Sequence, residues 1–219
     1  MASSALARAL SAAAAALLSK ADDLNRLDGY AGDGDLGITM SEVARVLEEE
    51  SAEVGTNGPG AGEAGGTGAA QLLSSCGSAI ARRAPSTMGT LTATAFLRAA
   101  KAVASEGASE VGLAERCFAA AMEGVQARGK ASLGDRTVLD GLDAVCTSLR
   151  TSLGAGVVLS EALRSAARAS SLAAEASKSM VPKAGRASWV PERALGHPDA
   201  GCQALAIALG AVAESLEEG

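Results

Sequence analysis

Aromatic residues make up only 2% of this 219-residue chain, and no apolar run approaches the ~20 residues that a membrane-spanning helix needs. A sequence so poor in aromatic and β-branched side chains gives little material for strands. No block of Lys or Arg occurs, and the formal net charge is -6, which excludes the basic stripe that a nucleic-acid surface requires. The four cysteines, Cys76, Cys117, Cys146 and Cys202, lie far apart without a CxxC spacing, so they suggest neither a zinc site nor a disulfide framework. Reduced thiols in a cytoplasmic protein are the expectation. A single histidine, His197, leaves little scope for imidazole chemistry.

What the chain has in quantity is alanine, the strongest helix former, within a composition that is 48% hydrophobic. The expectation is one all-α domain over residues 1–219. The apolar run Ala12 to Leu18, with Arg8 ahead of it, has the look of a secretory signal, but the helical pattern continues through Leu24 and Leu27 without a cleavage boundary.

That first helical pattern, about Ser3 to Leu27, leads into the stretch on which the rest depends. Leu27-Asp28-Gly29-Tyr30-Ala31-Gly32-Asp33-Gly34-Asp35-Leu36-Gly37 holds three carboxylates and four glycines in eleven residues. Crowded carboxylates repel one another unless a cation neutralises them, and hard oxygen ligands suit magnesium or calcium. Glycines let the backbone approach a ligand closely, and a helix starting just after them turns its free N–H groups and positive dipole end to the same point. The stretch therefore reads as a cradle for metal and phosphate, against the alternative of an acidic surface turn. It is no EF-hand, because a loop starting at Asp33 would need Gly and Glu where Ile38 and Ala44 stand. Gly124-Val125-Gln126-Ala127-Arg128-Gly129-Lys130-Ala131 comes within one residue of a P-loop, but it lacks the final Ser or Thr and follows a helical pattern.

Further helices are predicted over about 38–52, 69–83, 91–103, 113–128, 137–153, 157–178 and 201–216. Gly55 to Gly68 reads as a flexible connection. Ala84-Pro85-Ser86-Thr87-Met88-Gly89-Thr90 and the turn from Gly129 to Thr137 are polar, with Asp135 a candidate cap. Ser179 to Asp199, with three of the five prolines, reads as an ordered excursion. Eight antiparallel helices bring alternate turns to one end. The cradle, Ala84 to Gly89, Gly129 to Thr137, and Ser179 to Asp199 are thus expected to meet.

These residues also carry a family resemblance. Leu27-Asp28 followed by Gly32-Asp33-Gly34-Asp35-Leu36-Gly37, the stretch Gly129-Lys130-Ala131 with Gly134-Asp135-Arg136-Thr137-Val138-Leu139-Asp140, the stretch Glu175 to Ser188, and Pro198-Asp199-Ala200-Gly201 occur in order along nearly the whole chain. In this the chain resembles the nucleotide-binding L subunit, or C-terminal domain, of dihydroxyacetone kinases, including the triokinase type. The resemblance implies an eight-helix antiparallel up-and-down barrel that binds ADP or ATP through two magnesium ions.

On that resemblance Asp28, Asp33 and Asp35 are the metal ligands, with Arg186 adding charge to the catalytic set. Leu36, Gly37, Ile38 and Thr39 lie along the phosphates, and Thr87 and Met88 take the place of a glycine-rich phosphate loop. Gly129, Thr137, Val138, Arg186, Asp199, Ala200 and Gly201 line the rest of the nucleotide site. The implied partner is a K-type subunit that holds the short ketose; no membrane or nucleic acid is expected, and a homodimer is allowed. In the phosphotransferase-linked type ADP stays bound, a phosphoprotein recharges it, and the subunit can contact a transcription regulator. Two departures stand out. Leu36 occupies a position where many members have His, and Pro85-Ser86-Thr87-Met88-Gly89 replaces a loop richer in glycine, which leaves a catalytically impaired homologue as a further alternative.

Overall fold

Helices follow from the alanine-rich pattern, and their ends follow from specific caps. The computed structural model describes residues 3–56, 67–103 and 109–216. Among these the long helices are α1 (Ser3–Ser19), α2 (Ala21–Asp28), α3 (Leu36–Thr56), α4 (Thr67–Arg83), α5 (Thr87–Val103), α6 (Glu110–Gly129), α7 (Val138–Ala155) and α8 (Leu159–Ala176). A single turn, α9 (Pro191–Ala194), and α10 (Ala200–Ser215) complete the chain. No strand occurs among the described residues.

The helices α1, α3, α4, α5, α6, α7, α8 and α10 pack side by side in chain order, and α10 returns to pack on α1. The ring is therefore closed, as the expected eight-helix barrel requires. Leu24, Val43, Val46 and Ile80, each at most 2% exposed, lie in one core cluster, and Val145, Leu149, Leu163 and Leu209 in another. Alanine faces let the helices approach closely: Ala14, Ala44, Ala162 and Ala166 are fully buried.

Several boundaries differ from those the sequence predicts. The expected first helix breaks at Lys20 (φ -111°, ψ 9°) into α1 and α2. Lys20-Ala21-Asp22-Asp23 is itself compatible with a helix, so tertiary packing sets the break. The start of α3 presses on Ala21 so closely that a Cβ on Gly37 would stand 1.8 Å from the Ala21 carbonyl oxygen. Asn25 Oδ1 also accepts a hydrogen bond from the Ile38 N–H at 3.2 Å.

Helix α5 begins at Thr87 instead of near Leu91, because the Ser86 hydroxyl oxygen accepts the Gly89 N–H (3.0 Å) and so caps it. Helix α7 is capped by Thr137 in a reciprocal capping box with Asp140, whereas Asp135, the residue considered from sequence, accepts the Ser132 N–H at 2.7 Å. The expected connection over 55–68 is helical at both edges, and its middle, 57–66, lies outside the described residues. No helix among the described residues is long and apolar enough to cross a membrane.

Candidate nucleotide and metal site

The cradle is folded around Asp28, the last residue of α2. Its Oδ2 accepts the N–H groups of Gly34 (2.9 Å) and Asp35 (3.2 Å), and its carbonyl oxygen accepts those of Ala31 (3.1 Å) and Gly32 (2.6 Å). This wrapping brings carboxylate oxygens of Asp28, Asp33 and Asp35 within 4.8 Å of one another. Three negative charges at that spacing call for a cation. An ion pair from the Arg186 guanidinium to Asp33 supplies one unit of positive charge. The donor set, all hard carboxylate oxygen on a turn at the start of α3, fits a magnesium-class ion. The positive end of the α3 dipole faces the same place.

The second turn joins the cradle through α3. Thr39, 7% exposed, donates its hydroxyl proton to Ser86 Oγ at 3.1 Å, so the oxygen that caps α5 also ties it to α3. A Cβ on Gly89 would meet the Ala84 carbonyl oxygen at 2.0 Å, which makes this glycine a requirement for the close entry into α5. The departures from a glycine-rich loop therefore leave a capped helix start at the site.

Asp140 builds the third turn: its Oδ1 accepts the Gly134 N–H (2.6 Å) and its Oδ2 the Thr137 N–H (2.8 Å). The fourth is the segment 177–199, which includes short 3-10 turns at Ser177–Ser179 and Arg186–Trp189. It is tied to the third by Lys183 N–H to the Asp135 carbonyl (3.0 Å). Besides the Arg186–Asp33 ion pair, its ties to the cradle include a stack of Tyr30 on His197, with ring centroids 3.5 Å apart, and a 3.3 Å hydrogen bond from Arg193 to the Gly29 carbonyl. Asp199 caps α10 by accepting the Cys202 N–H at 2.8 Å. Burial pushes its carboxyl pKa above the usual carboxylate value, opposed by the Cys202 N–H and by the charge of Arg136.

All four turns line one cavity of about 570 Å³. Of the sequence-predicted residues, Asp28, Asp33, Asp35, Leu36, Thr39, Thr87, Met88, Gly129, Thr137, Val138, Arg186, Asp199, Ala200 and Gly201 line it. Gly37 and Ile38 do not: Gly37 backs onto Ala21, and Ile38 is 63% exposed with its N–H held by Asn25. Tyr30, Ser86, Arg136 and His197 also line the cavity, and the predicted site set omits them. Ser86 and Arg136 stood inside the motifs; the local cap on Gly89 and the bond from Thr39 give Ser86 its role, and distant carbonyls give Arg136 its own.

The described residues thus define a closed eight-helix α-barrel with a carboxylate cluster and helix N-termini gathered at one end. The chain belongs to the DAK2 domain family, whose model matches residues 30–214. It is 34% identical to human triokinase/FMN cyclase over 216 residues, 99% of this chain and 36% of that protein. With the ADP-binding subunit DhaL of the PEP-dependent dihydroxyacetone kinase of Escherichia coli K12 it shares 28% over 195 residues, 89% of this chain and 88% of that one. The dihydroxyacetone kinase of C. freundii, solved in complex with AMP-PNP and Mg2+, superposes with a TM-score of 0.70 at 26% identity, over 95% of this chain and 33% of that one. The chain thus spans about a third of the human and C. freundii proteins but most of the E. coli subunit.

Proposed function

We infer that this chain is the nucleotide-binding part of a dihydroxyacetone kinase, a phosphotransferase that holds ADP or ATP with two magnesium ions in the pocket at the end of the barrel. The observation that carries the reading is the cluster of Asp28, Asp33 and Asp35 carboxylates, within 4.8 Å of one another, beside the α3 N-terminus and Arg186. The family, and a barrel-fold relative solved with AMP-PNP and Mg2+, support it.

Asp28, Asp33 and Asp35 would hold the metal, which when bound neutralises phosphate charge and polarises the transferring group. The residues of this chain do the rest. Helix N-termini at Leu36 and Thr87 offer backbone N–H groups to phosphate oxygens, and Arg186 offers a second source of positive charge. Phosphoryl transfer asks mainly for such alignment and charge neutralisation.

The acceptor is a short ketose held by a separate K-type subunit or domain, since the one histidine of the sequence, His197, belongs to the nucleotide-side wall, where it stacks on Tyr30. A cytoplasmic location belongs to the same reading. A second reading, an ADP-loaded subunit recharged by a phosphoprotein, is favoured by the match to 88% of the length of the E. coli ADP-binding subunit. Purification without added nucleotide separates the two. Retained ADP marks the fixed-nucleotide type, whereas an empty protein that turns over ATP with a K-type partner marks the ATP-dependent type. Absence of any magnesium-dependent nucleotide binding overturns both.

A further inference from the structure

The segment 177–199 carries Arg186, His197 and Asp199 to the pocket, yet it has little apolar anchorage of its own. Trp189 is 79% exposed, and Val181 and Leu195 are exposed as well. Its buried residues, Ser177, Pro182 and Ala194, are small. Burial at ~25 cal/mol per Å² of apolar surface therefore contributes little to fixing its position. Polar ties must do so.

Asp199 N–H to Ser177 Oγ (2.7 Å) and Gly196 N–H to the Lys178 carbonyl (2.9 Å) join the segment's own ends, and of its ties to the rest of the chain three converge on Arg136, beside those to Asp33, Gly29 and Asp135. The Arg136 side chain is only 4% exposed, and its backbone lies at φ 61°, the left-handed region that a residue with a Cβ avoids. From there the guanidinium points into the segment. Nε donates to the Ser177 carbonyl (2.9 Å), and Nη2 donates to the carbonyls of Ala194 (3.0 Å) and His197 (2.8 Å). The three acceptors come from the 3-10 turn after α8, the end of α9, and the residue two before the α10 cap. One side chain thus fixes both ends of the excursion.

Burying a guanidinium against three carbonyls, with the Asp199 carboxylate near enough to feel its charge, is a costly way to fill space, and an apolar side chain of similar volume would pack as well. The planar fork does what such a side chain cannot, since it sets the direction of three carbonyls at once. We propose that Arg136 is a positioning residue of the nucleotide site: it holds the 177–199 wall so that Arg186 faces the three carboxylates and the phosphates they bind. This deepens the nucleotide reading and rests on it.

The test combines hydrogen exchange, read by mass spectrometry, with calorimetry of Mg·ADP binding on Arg136→Gln, Arg186→Ala and the double variant. In Arg136→Gln, exchange in 177–199 rises at least tenfold while α3 and α4 keep wild-type protection. Mg·ADP affinity falls about tenfold. In the Arg186→Ala background the same change weakens binding by less than about threefold, because the residue it positions is already gone. Arg136→Lys, which keeps the charge and some donors, falls between wild type and Arg136→Gln, and serves in its place should the glutamine variant fail to fold.

Unchanged exchange in 177–199 overturns the proposal, and so do losses that multiply in full in the double variant. Failure of the wild type to bind Mg·ADP overturns the nucleotide reading and, with it, the role assigned to Arg136; exchange alone then shows whether the residue still holds the segment.

Discussion

The two sides of the pocket are built on different principles. The cradle side is local: Asp28 organises it with bonds to residues six and seven positions away, and the helix behind it starts at once. The opposite wall, 177–199, is held by a guanidinium 41 to 61 residues distant and by contacts with Asp135, Gly29 and Tyr30. A local turn supplies the charge cluster, and a remote tether supplies the positive charge that faces it. Damage to the first should abolish ligand chemistry with the fold intact. Damage to the second should loosen one wall and weaken binding by a smaller factor.

The largest effect is expected from Asp33→Ala, which removes a carboxylate that is exposed and does not fold the loop. Magnesium-dependent nucleotide affinity should fall by about a hundredfold or more, while circular dichroism and melting stay near wild type. Asp28→Ala should lose binding and also free the N–H groups of Gly34 and Asp35, so a loss of order in the cradle distinguishes it from Asp33→Ala.

Gly37→Ala tests the backing of the cradle. The added methyl would lie 1.8 Å from the Ala21 carbonyl oxygen, so α3 or α2 must shift. Chemical denaturation should show a loss of about 3 kcal/mol. Thr137→Ala, on the other side, removes the oxygen that accepts the Leu139 N–H at 3.2 Å, and denaturation should register a loss of about 1 kcal/mol.

A pH effect lies away from both sides, in the packing between the helices. Burial raises the thiol pKa of Cys76 to about 12 and those of Cys117 and Cys146 to about 11, from an ordinary 9.0. The unfolded chain loses these protons first as pH rises. Stability from these thiols is thus fully present below pH 9 and is lost as pH climbs through 11 to 12. Denaturation midpoints measured from pH 8 to 11 should fall, and replacing Cys76 with Ala should flatten the decline.

The sequence made the cradle visible because its chemistry lies within eight residues, Asp28 to Asp35, and the barrel visible because alanine-rich helical patterns alternate with polar turns. Other features were harder to read, either because their partners are distant or because two local caps compete. The break at Lys20 falls among residues compatible with a helix. The start of α5 hides in Thr87-Met88-Gly89-Thr90, a run that reads as a turn until Ser86 is seen to cap it and to take a hydrogen bond from Thr39. Thr137 outcompetes Asp135 as the cap of α7 because Asp140 completes its box. Arg136 sits in a recognisable motif, but only the folded chain shows which carbonyls it holds.

The central claim, a magnesium-nucleotide cradle, is tested most directly by titrating ADP into the purified protein in a calorimeter, with and without magnesium, alongside Asp33→Ala. The account predicts saturable binding that chelation of the metal removes and that Asp33→Ala loses. Binding of equal strength in all three samples, or none in the wild type with magnesium, would contradict it.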